Sequence, residues 1–180
     1  EVKQAAQQSI AIVTHVVPLP AIQGNRRVIV QQAKWLCDQG YHVMLILQCS
    51  FAEASPHIES LLKIAHEVHV IDTRVAGIKP RPFATLDRHF PRTGDHLQHL
   101  VQKHDITLVL AHYIHLASAM KDLPAHVHRA IMTHDVVHRL PNPNGTLPAF
   151  RQCTAAEEAQ ALEIADTVIA ITDVEEEIFR

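Results

Sequence analysis

The stretch IAIVTHVVPLPAIQGNRRVIVQQAKWLCDQGYHVMLI, residues 10–46, decides the fold class. It opens on an almost unbroken apolar, β-branched run, Ile10–Thr14. After a loop, Arg26–Gln39 places Val28, Ile29, Ala33, Leu36 and Cys37 on one helical face, and Gly40 supplies the left-handed residue that ends such a helix. A second continuous run, His42–Gln48, follows. Strands that alternate apolar and polar residues keep one face in water. Continuous runs like these are buried on both faces, as in a parallel sheet, and the helix between them is the crossover.

The pattern continues outward from this unit. Val68–Asp72, Thr107–Ala111, Ala130–Thr133 and Thr167–Ile171 read as four more strands. Ser55–Pro56 predicts a helix start with Ser as N-cap, and Thr93 predicts another helix running to about His104. Thr154 with Glu157 and Thr172 with Glu175 have the spacing of capping boxes. Strands alternating with helices imply right-handed βαβ units. The expected fold is therefore α/β, a doubly wound parallel sheet with helices on both faces, in three α/β/α layers. Residues 1–9 read as a polar tail, and 10–180 as one domain with room for a core. Residue 1 is not Met, and the last helix has barely begun when the sequence stops at Arg180, so the expectation is a fragment of a longer protein.

Composition narrows the partners. A formal net charge of −3 argues against a general nucleic-acid binder. No stretch approaches the ~20 apolar residues of a membrane span, and the polar start has no signal-peptide core. Cys37, Cys49 and Cys153 show no CxxC spacing, which fits reduced thiols in the cytoplasm. The 15 histidines include neither HExxH nor a cysteine partner at ligand spacing, so no metal and no bound cofactor is expected. Lys79, Arg81, Arg88 and Arg92 form a basic run able to touch anionic headgroups at the inner face of a membrane, although such residues are more often a solvated loop.

In a doubly wound sheet, ligands bind beyond the carboxyl ends of the strands. The loop after the first strand carries Gly24, Asn25, Arg26 and Arg27 at the start of the first helix. Free N–H groups there attract an anion, and arginines add charge-assisted contacts to phosphate. The loop lacks GxGxxG and a P-loop lysine, which excludes the ordinary dinucleotide and P-loop readings. His112, with neighbours Tyr113 and His115, follows the strand Thr107–Ala111, where a histidine can orient or protonate a substrate group near neutral pH. His134 and Asp135 occupy the same place after Ala130–Thr133, with Arg139 beyond them as a phosphate contact. Position alone fits structural histidines, an aspartate turn cap and solvated arginines equally well.

Three stretches together resemble the GT-B glycosyltransferases, particularly glycosyltransferase family 4. The segment 10–46 is similar to the family's opening strand, glycine loop, helix and second strand. THDVVHRL, 133–140, is similar to its acceptor-side histidine segment. EEAQALEIADTVIAITDVEEEIFR, 157–180, is similar to its late helix, alanine–aspartate turn, final strand and following helix. The resemblance implies a Rossmann-like acceptor-binding half, with a nucleotide-sugar domain to follow. It also implies a hexosyl transfer that retains configuration, uses no obligatory metal, and moves sugar from a nucleotide-sugar to a glycan, lipid or small-molecule hydroxyl. Carried over by position, Gly24 approaches the donor phosphate, His112 lies near the reacting sugar, and His134 and Asp135 meet the acceptor. Where the family has two adjacent glycines this chain has Gln23–Gly24, and the donor half with its E-x7-E signature is absent. Glu59 and Glu67 share that spacing but lack its glycine-rich context. The alternative is a non-catalytic binding or assembly domain derived from the same fold.

Overall fold

The computed structural model describes residues 8–73, 91–140 and 153–180. Strand β1 (Ser9–Thr14) leads into α1 (Gly24–Asp38), then β2 (His42–Cys49), short helices α2 (Phe51–Ala54) and α3 (Ile58–Leu61), and β3 (Glu67–Asp72). The chain continues with α4 (Pro91–Lys103), β4 (Ile106–His112), a 3-10 segment (Ile114–Met120) and β5 (His128–Met132). A second 3-10 turn (Val137–Arg139), α5 (Ala155–Leu162), β6 (Thr167–Ile169) and α6 (Asp173–Phe179) complete it. All six strands lie in one sheet, order β3-β2-β1-β4-β5-β6, and every pair is parallel.

The sheet divides its side chains by alternation. Ile10, Ile12, Val43, Leu45 and Leu47 point to the face covered by Ile29, Ala33 and Leu36 of α1 and by Leu61 of α3. Ala11, Val13, Met44, Ile46, Val109 and Ala111 point to the other face, against Leu97 and Leu100 of α4, the 114–120 segment and Ala161 of α5. β1 is buried at every position, as its continuous apolar run predicted. The three-layer α/β/α expectation is met, and so are the six strands, within two residues at each boundary. α1 stops as the sequence predicted: Gly40 takes φ +87°, its N–H donates to Cys37 O and the Tyr41 N–H to Leu36 O, which together form a Schellman cap.

The helix starts needed three corrections. Ser55 does not cap its helix. The cap is Ser50, whose hydroxyl accepts from Glu53 N while the Glu53 carboxylate accepts from Ser50 N, and Ser55–His57 is a 3-10 turn inside the helical stretch. Thr93 lies inside α4, which begins at Pro91. Its buried hydroxyl donates to Gln48 Oε1 at 2.7 Å and ties the helix to β2. Thr154 and Glu157 form the expected capping box, but Thr172 and Glu175 form half of one. The Glu175 carboxylate instead accepts from Ile171 N and the Thr133 hydroxyl, fastening α6 to the end of β5.

Candidate functional site

The strand order reverses between β1 and β4: from β1 the chain winds outward to β2 and β3, and from β4 outward to β5 and β6. Loops leaving β1 and β4 therefore diverge and open a crevice at their carboxyl ends, which is where such sheets bind ligands. His15 leaves β1, His112 and Tyr113 end β4, and His134 leaves β5.

These residues form one cluster. His112 is fully buried, and its Nδ1 lies 2.9 Å from His134 Nε2, with the rings stacked at 5.2 Å. Tyr113 lies across His134 at 4.3 Å and against His15 at 4.6 Å, and His15 meets the buried His115 at 5.8 Å. The Asn25 amide donates to the Tyr113 hydroxyl, so the first turn of α1 is joined to the end of β4. Tyr113 takes φ +76°, a conformation L residues rarely adopt and one that costs on the order of 1–3 kcal/mol. Its N–H donates to Met132 O at 2.9 Å, and this bond and the hydroxyl contact hold the strained residue in place.

Burial sets the charge of the pair. It lowers His112 to about 3, helped by His134 and His15, and lowers His134 to about 4. Both rings are neutral at pH 7. Desolvation disfavours the protonated ring, which leaves His112 as a neutral donor or acceptor fixed in direction. One nitrogen of the pair donates to the other. His112 Nε2 is buried with no hydrogen-bond partner among the described residues, and leaving such a group unpaired costs about 1–3 kcal/mol.

The helix terminus has less built into it. No side chain caps α1 at Gln23, and its first turn carries no acidic residue. Asn25 Oδ1 already accepts from Arg26 N, and the Arg27 Nε donates to Ala21 O at 3.1 Å, so Arg27 braces its own loop. Arg26 is half-buried, and its Nε has no hydrogen-bond partner among the described residues. A Cβ added at Gly24 meets nothing within 4 Å, so nothing described in the protein requires glycine there. Asp135 is half-buried in the turn beside His134.

Arg139 is not brought to this cluster. It is exposed, its Nε reaches the neighbouring His138 at 3.4 Å, and it lines a groove with Glu158, Leu162, Val168 and Phe179. The buried Glu158 organises that turn by accepting from Val137 N, His138 N and the His138 ring. His15 was missed from the sequence, although its place directly after β1 matches that of His112 after β4. Lys79, Arg81 and Arg88 lie outside the described residues, as does the loop 141–148; Arg92 is exposed on α4. Cys37, Cys49 and Cys153 form no disulfide. Among the described residues no helix is long and apolar enough to cross a membrane.

No family model matches the sequence, and no curated protein matches it. Solved structures share its fold, among them the following two. One is sucrose-phosphate synthase from Thermosynechococcus elongatus, with a TM-score of 0.63 and 19% identity over 95% of this chain and 44% of that one. The other is UGT73P12 of Glycyrrhiza uralensis, complexed with glycyrrhetinic acid 3-O-monoglucuronide. It has a TM-score of 0.52 and 13% identity over 97% of this chain and 46% of its own. The chain spans less than half the length of either structure. What it shares with both is fold, the Rossmann-like half that the resemblance to GT-B glycosyltransferases predicted.

Proposed function

We propose that the chain is the acceptor-side half of a retaining glycosyltransferase, which moves a hexose from a nucleotide-sugar to an acceptor hydroxyl across a cleft completed by a second domain. The observation that carries this is the neutral His112–His134 pair at the switch point, tied through Tyr113 and Asn25 to the start of α1. A sugar hydroxyl is the ligand that suits the half-buried member, His134: it both donates and accepts, so it meets that ring whichever tautomer is present. The free N–H groups at Gly24 and Asn25, with Arg26 beside them, favour the negative charge that gathers on a departing diphosphate. Catalysis then rests on positioning the acceptor and stabilising the leaving group. His134 and Asp135 face the acceptor; Arg27 contributes charge at the margin. The reading extends to a cytoplasmic protein with peripheral contact at the inner face of a membrane, through the basic run that ends at Arg92.

The test is a titration of the 15N-labelled chain with UDP-glucose and GDP-mannose, followed by amide resonances. The expected shifts are confined to 23–27, 112–115 and 133–135, with no sugar transfer by the chain alone. Shifts elsewhere, or none at the solubility limit of the donors, overturn the site. Robust transfer by the 180-residue chain overturns the claim that a second domain completes the cleft.

A further inference from the structure

The opposite edge of the sheet holds a second histidine cluster, built around a carboxylate. His42 begins β2, Glu67 begins β3, and His104 follows α4 in the turn that leads into β4. His42 Nε2 lies 3.0 Å from Glu67 Oε1, and His104 Nε2 lies 3.8 Å from the same oxygen. Ligand atoms of all three residues fall within 4.8 Å of one another. The His42 and His104 rings are nearly parallel, 13° apart, with centroids at 6.1 Å.

From these positions we propose that His42, Glu67 and His104 bind a divalent transition-metal cation of the zinc type. Two imidazoles and one carboxylate are a common protein ligand set for zinc, and they leave a coordination position for water. With bonds of about 2.0–2.1 Å, neighbouring ligand atoms of tetrahedral zinc sit about 3.3 Å apart, between the two distances found here. His104 supplies an independent observation. Its Nε2 is buried and, at 3.8 Å from Glu67, too far for a hydrogen bond; it has no other partner among the described residues. A cation between the two would satisfy it.

The shell around the three ligands is also organised. His69 Nε2 holds the other carboxylate oxygen, Glu67 Oε2, at 3.0 Å, and His69 Nδ1 is 3.1 Å from His96 Nε2 on α4. Such outer partners fix a ligating carboxylate in direction. His66 stands apart from the set, since its Nδ1 accepts from Val43 N. Burial of Glu67 opposes ionisation, but the hydrogen bonds from His42 and His69 together with the charges of His104 and His69 lower the carboxyl below its ordinary value. The site does not touch the sugar chemistry proposed above. β4 runs from Ile106 to His112, and at about 3.3 Å per residue the two edges are about 20 Å apart. A cation here would join the amino ends of β2 and β3 to the α4–β4 turn, with a structural or regulatory effect on the sheet, and the inference stands whether or not the chain transfers sugar.

The experiment is calorimetric titration of the metal-stripped chain with Zn2+ alone, with Co2+ absorption as a second readout. One equivalent should bind to the wild type, and cobalt should develop the visible bands of a four- or five-coordinate ion. His42→Gln, His104→Gln and Glu67→Ala should each weaken that equivalent by about 100-fold or more, and His69→Gln by about 10–100-fold. His126→Gln, at an exposed histidine outside this ligand set, should change nothing. His42 and His104 are partly exposed, so both variants should keep the wild-type far-ultraviolet dichroism, and either one that folds decides the matter. Uptake unchanged in the folded variants overturns the proposal, as does a cobalt spectrum that stays that of the hydrated ion.

Discussion

At the carboxyl edge the His112–His134 contact is nitrogen to nitrogen, while at the amino edge the histidines converge on an acid. Both clusters are made mainly of imidazole, yet they come out chemically opposite. Burial dominates at His112 and His134, and both lose their charge. At Glu67, hydrogen bonds from two histidines and the nearby imidazole charges outweigh burial and lower the carboxyl pKa. The difference teaches that a histidine cluster takes its role from what faces the ring. A neutral pair suits a sugar hydroxyl, and a carboxylate-centred set suits a cation.

The largest expected effect comes from pH. His112 and His134 fall from 6.5 to about 3 and about 4, so their folded values are depressed. Below about pH 6.5 the unfolded chain binds protons that the folded chain refuses, and stability falls as pH falls, until the folded rings themselves titrate. Each ring should contribute on the order of 1 kcal/mol per pH unit between about pH 6 and pH 4.5. Urea unfolding at those two pH values checks this: the wild-type midpoint should drop, and the His112→Gln/His134→Gln double variant should flatten the dependence. An equally steep double variant breaks the contrast between the edges.

The next test moves a carboxylate to the edge that lacks one in its histidine pair. His134→Glu should raise the His112 midpoint by about one pH unit or more, equivalent to about 1.4 kcal/mol, because an adjacent negative charge favours the imidazolium. Nitrogen chemical shifts of His112 against pH read this directly. An unmoved midpoint would show that desolvation alone governs the site. The smallest effect is expected from Tyr113→Phe, which removes the hydrogen bond from Asn25 and leaves the ring contacts in place. It should cost about 0.5–1.5 kcal/mol in thermal unfolding and loosen the coupling of α1 to β4, visible as broadened amide resonances at 24–26.

Much of the fold could be read from residues 10–46 because burial on both faces leaves an uninterrupted apolar run, and Gly40 marks the helix end it makes possible. The start of α2 was legible too, since Ser50 and Glu53 have capping-box spacing, but Ser55–Pro56 offered a competing and equally ordinary signal. At the carboxyl edge, His112 and His134 could be found because strand ends locate a crevice. Their neutral state could not, because it depends on how completely the rings are buried. Arg139 was misplaced because chain proximity to His134 says nothing about the turn that Glu158 imposes. The amino-edge set was invisible because His42, Glu67 and His104 meet only through strand order. The spacing of Glu67 from Glu59 carries nothing, since Glu59 is exposed on α3.

Because every strand runs the same way, the segments that lead into strands and the segments that leave them are separate sets of residues, gathered at opposite edges. A substitution at His42 or His104 alters no residue of the His112–His134 crevice, and the reverse also holds. Selection can therefore rework one edge while the other stays under its own constraint. A protein with this sheet can gain or lose the proposed cation site across generations without altering the residues of its carboxyl edge.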